Sequence, residues 1–282
     1  MATDTNKPLL FRDIGKKAKD LLLKGFTKGH MLFFSHITST GATLSTSSIM
    51  SEGLMIGTVG SSFKAGLVKS DLSFSTLNQV TAETTYEDLA PGLKLCLSTT
   101  IPDAKSLGKA ELIYQHDLAA FTALVKGFNT TPTLECSANL GSAKFSAGGS
   151  LSYDSANNLL VNSTAGLGYT ASPFSLALLC DLSAEKTVNV YCLHEMSTNT
   201  SWALNVDFQH EKKIGNMAIG GLHKLDPQTS VKAKIDNSGL LSALIEHELK
   251  PLVTIGLCAE FNCRSLNKER PNIGLSITVL SV

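Results

Sequence analysis

Apolar and polar residues alternate along most of the chain. In residues 202–208 the even-numbered side chains are apolar and the odd-numbered ones are small or polar, and residues 253–261 and 273–279 repeat the pattern with odd-numbered apolar positions. A period of two gives a β-strand one apolar face and one polar face. The runs are about 8–11 residues long and end in turn-type residues, which is the length and pattern of strands that cross a membrane.

The alternation predicts about 19 strands after an N-terminal segment, a number that leaves no room for a second domain. Ser and Gly make the two faces least distinct in the strands that begin near residues 42, 54 and 142. We predict strand starts near residues 30, 42, 54, 67, 79, 93, 108, 119, 132, 142, 158, 173, 186, 199, 214, 228, 240, 252 and 273.

The prolines agree with these boundaries. Proline removes a hydrogen bond from a β-ladder, so the interior of a strand should exclude it. Seven prolines fall between the alternating runs or at their first residues: Pro91, Pro102, Pro132, Pro173, Pro227, Pro251 and Pro271.

Residues 9–25 follow a different period and predict one amphipathic helix. One side of this helix carries apolar residues: Leu10, Ile14, Ala18 and Leu21. The remaining surface carries basic residues: Arg12, Lys16, Lys17, Lys19 and Lys24. Gly25 stands where a glycine commonly ends a helix. We therefore divide the chain into an N-terminal segment, residues 1–29, and a strand region, residues 30–282.

Composition favours a membrane protein. Only 17% of the 282 residues are charged, 43% are hydrophobic, and the mean hydropathy is +0.11. No apolar stretch approaches the roughly 20 residues of a membrane helix. No signal peptide is visible at the N-terminus, so we expect synthesis in the cytosol and entry into a membrane from that side.

Strands in a bilayer must form a closed barrel, because every backbone polar group there needs a partner within the protein. The predicted fold is an all-β membrane protein, a single transmembrane barrel with a polar interior that the basic helix would plug or gate. A water-soluble β-sandwich or solenoid would bury the same apolar faces and stays open on alternation alone. We find no catalytic motif and no spacing of His or Cys typical of a metal site, so we predict no enzyme activity, metal or cofactor.

Several stretches resemble one family. Residues 11–22 resemble the opening of the mitochondrial voltage-dependent anion channels, the eukaryotic porins. Residues 90–95 match the Gly-Leu-Lys element of that family, and residues 223–251 are similar to its C-terminal signature. Residues 102–111 are similar to plant members in particular. These matches occur in family order from start to end, so the resemblance covers the whole chain.

The resemblance implies a 19-stranded barrel with its first and last strands parallel and the helix inside the pore. It implies voltage gating and the passage of metabolite anions, nucleotides and small ions. The expected location is the mitochondrial outer membrane, with plastid or plasma membranes as further candidates. The expected partners are the lipid bilayer, the permeating anions, cytosolic kinases and further copies of the chain; nucleic acid is not expected as a main partner.

The same resemblance assigns roles to residues. Ile14 matches the apolar residue that packs against the barrel wall, and Leu10 should lie on the same side. The five basic helix residues would face the lumen and attract phosphates, although a solvated or membrane-surface helix face would look the same in sequence. Lys94, of the Gly-Leu-Lys element, and Lys232 and Lys234, which share one strand face, are further pore-lining candidates or ordinary solvated wall residues.

Charge is distributed unevenly. Residues 1–30 carry seven Lys or Arg and three Asp, a net charge of +4, and since the whole chain is neutral the remainder carries −4. Glu111, Asp117, Asp207 and Glu260 are predicted on polar strand faces and would offset positive charge in the lumen. Anion preference is therefore predicted from the helix. Two other functions remain at this point: a protein-import pore of the same superfamily, and a soluble β-rich binding protein.

Overall fold

A computed structural model of the protein describes residues 8–51, 53–102, 108–128, 131–142, 144–183, 186–209, 215–250, 252–264 and 271–281. Within these residues, nineteen strands form one sheet in which each strand pairs antiparallel with the next. The first and last strands, β1 and β19, pair in parallel and close the sheet into a barrel. Closure leaves no strand edge without a hydrogen-bonded neighbour, as a bilayer requires.

The strands, in chain order, are β1 His30–Ile37, β2 Thr43–Ser51, β3 Leu54–Ala65, β4 Val68–Ser75, β5 Gln79–Ala90, β6 Leu93–Ile101, β7 Lys109–Gln115, β8 Ala119–Lys126, β9 Thr133–Gly141, β10 Phe145–Asp154, β11 Leu159–Ala171, β12 Phe174–Asp181, β13 Thr187–Glu195, β14 Thr200–Gln209, β15 Met217–Asp226, β16 Thr229–Asp236, β17 Leu240–Lys250, β18 Val253–Asn262 and β19 Asn272–Ser281.

The predicted strand count, strand starts and parallel closure are confirmed. The three strands with the least distinct faces begin at Thr43, Leu54 and Phe145, close to the predicted 42, 54 and 142. The prolines from Pro91 onward that the structure describes all lie outside strands. Pro251 and residues 103–107 lie outside the described residues.

The two faces of the sheet differ as the alternation predicted. Residues paired across neighbouring strands share a face, and the pairs place the large apolar side chains on the outside. Trp202 is 48% exposed and Leu257 is 52% exposed, whereas their neighbours Ala203 and Cys258 are buried. A water-soluble protein rarely exposes so large an apolar surface. The exposed apolar face therefore lies where lipid would surround a barrel.

The N-terminal helix differs from the prediction of one helix over residues 9–25. A short 3₁₀ turn, Phe11–Asp13, is followed by an α-helix, α1, Lys16–Leu23. Ile14 between them is extended, and Gly15 has a φ of 73°, in the left-handed region that only glycine adopts at low cost. Gly25, with a φ of 94°, follows the end of α1 as predicted. No helix in the described part of the chain is long and apolar enough to cross a bilayer.

Candidate functional site

The N-terminal segment, residues 8–29 in the described chain, lies inside the barrel. Ala18, Leu21 and Leu22 of α1 pack in one buried cluster with Leu193 and Ala203. These two wall residues are paired with each other across β13 and β14, on the face opposite the exposed Trp202. The helix therefore occupies the inner face, the position implied by the family resemblance.

The first residues of the segment are held by the wall farther round. Leu10 packs with Ile113 of β7 and Ala120 of β8. The Asn139 side chain of β9 donates a hydrogen bond from Nδ2 to the backbone carbonyl of Leu9 at 2.6 Å. Asn139 is fully buried, so its Nδ2 cannot reach water. The bond to Leu9 gives this donor a hydrogen-bond partner within the protein.

The Ile14 side chain is almost completely buried, with 1% of its surface exposed. A Cβ atom added to Gly168 of β11 would stand 3.3 Å from Cγ2 of Ile14 and 2.5 Å from Oγ of Ser146. The wall residue next to the Ile14 side chain is thus a glycine, Gly168. Leu10 is buried on the wall as well, but the break at Gly15 means that Leu10 and α1 do not share one continuous helix.

Four basic residues of the segment are paired with carboxylates, and one of them, Lys28, lies 3.1 Å from Glu260 of β18 with its side chain 60% exposed. The other three are Arg12, Lys16 and Lys17. Arg12 donates from Nη1 to Glu111 of β7 at 2.5 Å. Lys16 donates to Asp13 at 2.9 Å, and this hydrogen bond raises the pKa of Lys16 above its ordinary value. Lys17 lies 3.6 Å from Glu195 of β13. Their side chains remain 56%, 60% and 65% exposed, respectively, so each still meets the solvent of the lumen.

Lys19 of α1 and Lys24, which follows the last residue of α1, differ from these. The amine of Lys19 lies over the ring of Tyr191, 5.0 Å from its centroid, and burial lowers the pKa of Lys19. Lys24 caps the end of the helix, where its backbone N–H donates to the carbonyl of Asp20 at 3.0 Å. Its side chain is exposed. A cation at a helix C-terminus also interacts favourably with the helix dipole.

The three wall lysines all stand on the inner face but in different surroundings. Lys94 of β6 is exposed and is paired across the sheet with Ile113, the residue that packs on Leu10. Lys232 of β16 lies 3.6 Å from Glu246 and its side chain is only 16% exposed. The amine of Lys234 lies over the Phe26 ring, 4.5 Å from its centroid.

Some residues of the site were not predicted. Glu195 and Glu246 bind basic residues, and Asn139 holds the segment backbone. Alternation could have placed all three on inner faces, but the partners of Glu195 and Asn139 depend on the path of the segment. Asp117, predicted on a strand face, lies in the turn between β7 and β8 instead, because β7 ends at Gln115.

The arrangement defines a class of protein. A closed barrel with apolar side chains outside, charged side chains inside and a basic segment on its inner wall is a membrane channel. Among the described residues, no group of three or more His, Cys, Asp or Glu is placed to hold a metal ion. The chemistry available in the lumen is electrostatic: exposed amines and carboxylates that attract or repel solutes.

Comparison with known proteins agrees with this class. The eukaryotic porin family matches residues 7–274. The mitochondrial outer membrane protein porin 5 of Oryza sativa subsp. japonica is 31% identical over 274 residues, covering 96% of this chain and 98% of the relative. The mitochondrial outer membrane porin of Triticum aestivum is 32% identical with the same coverage. The outer plastidial membrane protein porin of Pisum sativum is 30% identical, again over 96% and 98%.

The chain belongs to the eukaryotic porin family. As a membrane channel it contacts the lipid bilayer and passes small solutes. The names of the Oryza and Triticum relatives agree with the mitochondrial outer membrane predicted from the sequence, and the Pisum relative agrees with a plastid membrane as a further location. The protein-import pore and the soluble binding protein are not favoured.

Proposed function

We propose that this porin is a voltage-gated diffusion channel of the mitochondrial outer membrane that passes metabolite anions, nucleotides and small ions. The observation that carries the proposal is the basic N-terminal segment on the inner wall of the barrel. Its exposed amines and guanidinium lie where a solute in the lumen would meet them. The pore acts by selection and diffusion, without catalysis.

The basic residues contribute unequally in this proposal. Lys16 and Lys17 keep most of their surface in the lumen and act as point charges toward phosphates, and Lys24 and Lys94 are exposed as well. Arg12 offers a planar guanidinium that suits phosphate oxygens. The carboxylates paired with Arg12, Lys16 and Lys17 hold these three side chains in place and reduce, without removing, their attraction for anions.

Lys19, Lys232 and Lys234 act nearer the wall. Lys232 is largely covered, while Lys19 and Lys234 stand over the rings of Tyr191 and Phe26. A cation over an aromatic face is attracted to it, so these contacts also fasten the segment to the wall. We propose that the three lysines shape the potential along the wall rather than bind a nucleotide directly.

Charge reversal tests the proposal. The triple variant K16E/K17E/K19E should lower the preference for anions, because each reversal moves the charge along the permeation path by two units. At about 4 Å in water, one unit charge changes the energy of a monovalent ion by about 1 kcal/mol, or roughly fivefold in its relative concentration. The reversal potential in a planar bilayer under a salt gradient measures this preference.

A control places the same kind of change, of four charge units against six in the triple variant, away from the segment. Lys144 and Lys186 lie in turns between strands, so K144E/K186E alters net charge at the barrel ends. Salt screens charges over about 8–10 Å, and the control should shift the reversal potential less. An unchanged reversal potential in the triple variant would place the basic face outside the permeation path.

Two partner assignments are also part of the proposal. Cytosolic kinases would meet the barrel at the loops of one end, and further copies of the chain would meet it in the plane of the bilayer. Both are supported by the family resemblance alone. Crosslinking in isolated outer membranes, followed by identification of the linked chains, tests them.

A further inference from the structure

Five histidines lie at one end of the barrel. The chain has seven, and His210 lies outside the described residues. Odd-numbered strands all run in one direction, so their last residues lie at the same end. We name the five histidines at these ends the histidine rim: His36, His116, His194, His223 and His247. His30 lies at the opposite end, at the start of β1.

The rim points outward, toward the bilayer. Cross-strand pairing places its four strand residues beside apolar or hydroxyl side chains of the outer face. The pairs are His36 with Leu44 and Ser281, His194 with Phe174 and Trp202, His223 with Thr200 and Val231, and His247 with Thr229 and Ile255. His116 follows the last residue of β7, and its ring stacks on that of Tyr114 at 6.5 Å.

In the described strand pairs, no fixed charge of the outer wall faces the four strand histidines. Between the bulged hairpin ends, the strand pairing of the described residues assigns no Lys, Arg, Asp or Glu to the outer face. The nearest carboxylates along the chain are at the ends or on the inner face: Asp117 beside His116, Glu195 beside His194, Asp226 three residues after His223, and Glu246 and Glu248 on either side of His247. A protonated imidazole on this face therefore lacks a protein counter-ion in its cross-strand pairs.

Three of the rings share one geometry. In each, a hydroxyl from the neighbouring strand forms a hydrogen bond with Nδ1, which fixes the ring and leaves Nε2 for a partner outside the protein. The Oγ–Nδ1 distances are 2.9 Å for Thr200 and His223, 2.9 Å for Thr229 and His247, and 3.1 Å for Ser281 and His36. The repeat of this arrangement on three separate strand pairs indicates a surface built for contact.

The partner follows from the position. At the ends of the strands the bilayer changes from hydrocarbon to head groups, whose phosphates are hydrogen-bond acceptors and, in anionic lipids, carry uncompensated negative charge. Histidine gains a positive charge within the range of pH met in cells. We propose that the histidine rim binds the phosphate groups of anionic phospholipids when its imidazoles are protonated. The barrel would then recruit anionic lipid to one leaflet in a pH-dependent manner.

The single tryptophan reports on this surface. Trp202 stands directly opposite His194 across β13 and β14, and the His194 ring stacks on Phe174 at 4.3 Å. The purified porin is reconstituted in phosphatidylcholine vesicles that contain a minor fraction of phosphatidylglycerol. Energy transfer from Trp202 is measured to an acyl-chain label carried either by the phosphatidylglycerol or by the phosphatidylcholine. The ratio of the two transfers cancels changes in the fluorescence of Trp202 itself.

The expected result is a rise in this ratio of at least about twofold between pH 8 and pH 5, the range over which imidazole titrates. The variant with His36, His116, His194, His223 and His247 changed to Gln should lose the rise. H36Q/H223Q/H247Q keeps the ring beside Trp202 and should lose most of it. H30Q, the matched control at the opposite end, should keep it.

Circular dichroism of each variant in the vesicles verifies that the barrel is formed. A ratio that does not change with pH in the wild type would overturn the proposal, and so would a rise that persists in the fivefold variant. A rise of the same size in H36Q/H223Q/H247Q would also contradict it. The outcome is independent of ion selectivity, so failure here leaves the proposed channel function untouched.

Discussion

The barrel has two kinds of inner wall. The contacts of the N-terminal segment described above lie on β7–β18, where small residues make room for it. Ala177 faces Gly15, Gly168 faces Ile14, and Gly220 faces Leu22, whose Cδ2 would be 2.8 Å from an added Cβ. We call β7–β18 the covered wall.

The wall of β2–β6, the open wall, is built differently. Its inner residues are mostly hydroxyl-bearing or charged, and they bond one another across strands. The hydroxyls of Thr81 and Thr100 are 3.1 Å apart, and Thr85 donates to Sγ of Cys96 at 3.7 Å. Here the polar side chains form hydrogen bonds with one another across strands, and water is their remaining partner.

The difference shows how one alternating pattern can build two kinds of inner wall. Every strand needs an apolar outer face, so that face is uniform around the barrel. The inner face is free to vary, and Gly or Ala at inner positions marks where another segment packs closely. The amines and guanidinium of the basic segment lie on the covered wall beside carboxylates such as Glu111 and Glu195, whereas the open wall carries charges only on its own strands. We therefore expect the two walls to present different potentials to a solute.

Replacing Ile14, the isoleucine that anchors the segment to the covered wall, should have the largest effect on cleavage of the segment. Ile14→Ala removes a fully buried side chain, and such truncations cost about 2–5 kcal/mol. The segment should leave the covered wall more often, and the rate of tryptic cleavage after Lys16 and Lys17 should rise by roughly 30-fold or more. Thr58→Ala, on the inner face of the open wall, is the control. Equal cleavage rates for both variants would contradict the assignment of Ile14 as the anchor.

Replacing Gly15, at the break in the helix, should have a smaller effect on the rate of cleavage. Gly15→Ala forces a side chain into the left-handed region, at a cost of about 1–2 kcal/mol, and places Cβ at 3.0 Å from Cβ of Ala177. The same cleavage assay should show a rise of roughly 5–30-fold. Gly15→Asn, which tolerates that backbone conformation better, should cleave more slowly than Gly15→Ala. The reverse order would mean that Gly15 is not a strained junction.

Loss of a charge pair on the covered wall should have the smallest effect on the rate of cleavage. Glu111→Gln weakens the contacts of Arg12 at 2.5 Å and Lys109 at 3.9 Å. Because the Arg12 side chain is half exposed, we expect a loss of about 0.5–1 kcal/mol and a faster cleavage by a small factor. Glu195→Gln, which frees the more exposed Lys17, should change less. A larger effect of Glu195→Gln would reverse the proposed order of the two anchors.

Sequence reasoning located the strands because their signal is local. The period of two and the prolines depend only on neighbouring residues, so strand starts at Thr43, Leu54 and Phe145 could be predicted even where Ser and Gly blur the faces. The helix was less predictable. Residues 9–25 fit a helical period throughout, and nothing local shows that Gly15 takes a positive φ against Ala177.

The charge pairs were the least predictable part of the site. The basic residues of the segment could be read as a group, but their partners Glu111, Glu195 and Glu260 come from distant strands. Which carboxylate meets which amine depends on the path of the segment along the wall. The small inner residues Gly168 and Gly220 are the sequence signal that could have indicated this path, since they interrupt polar faces.

We propose that the basic segment gives a channel of zero net charge a preference for anions. The direct measurement is the reversal potential of the wild-type protein in the open state, in a planar bilayer that separates two concentrations of KCl. We predict a reversal potential of the sign that corresponds to chloride preference. The opposite sign, potassium preference in the open state, would contradict it while leaving the barrel and its family unchanged.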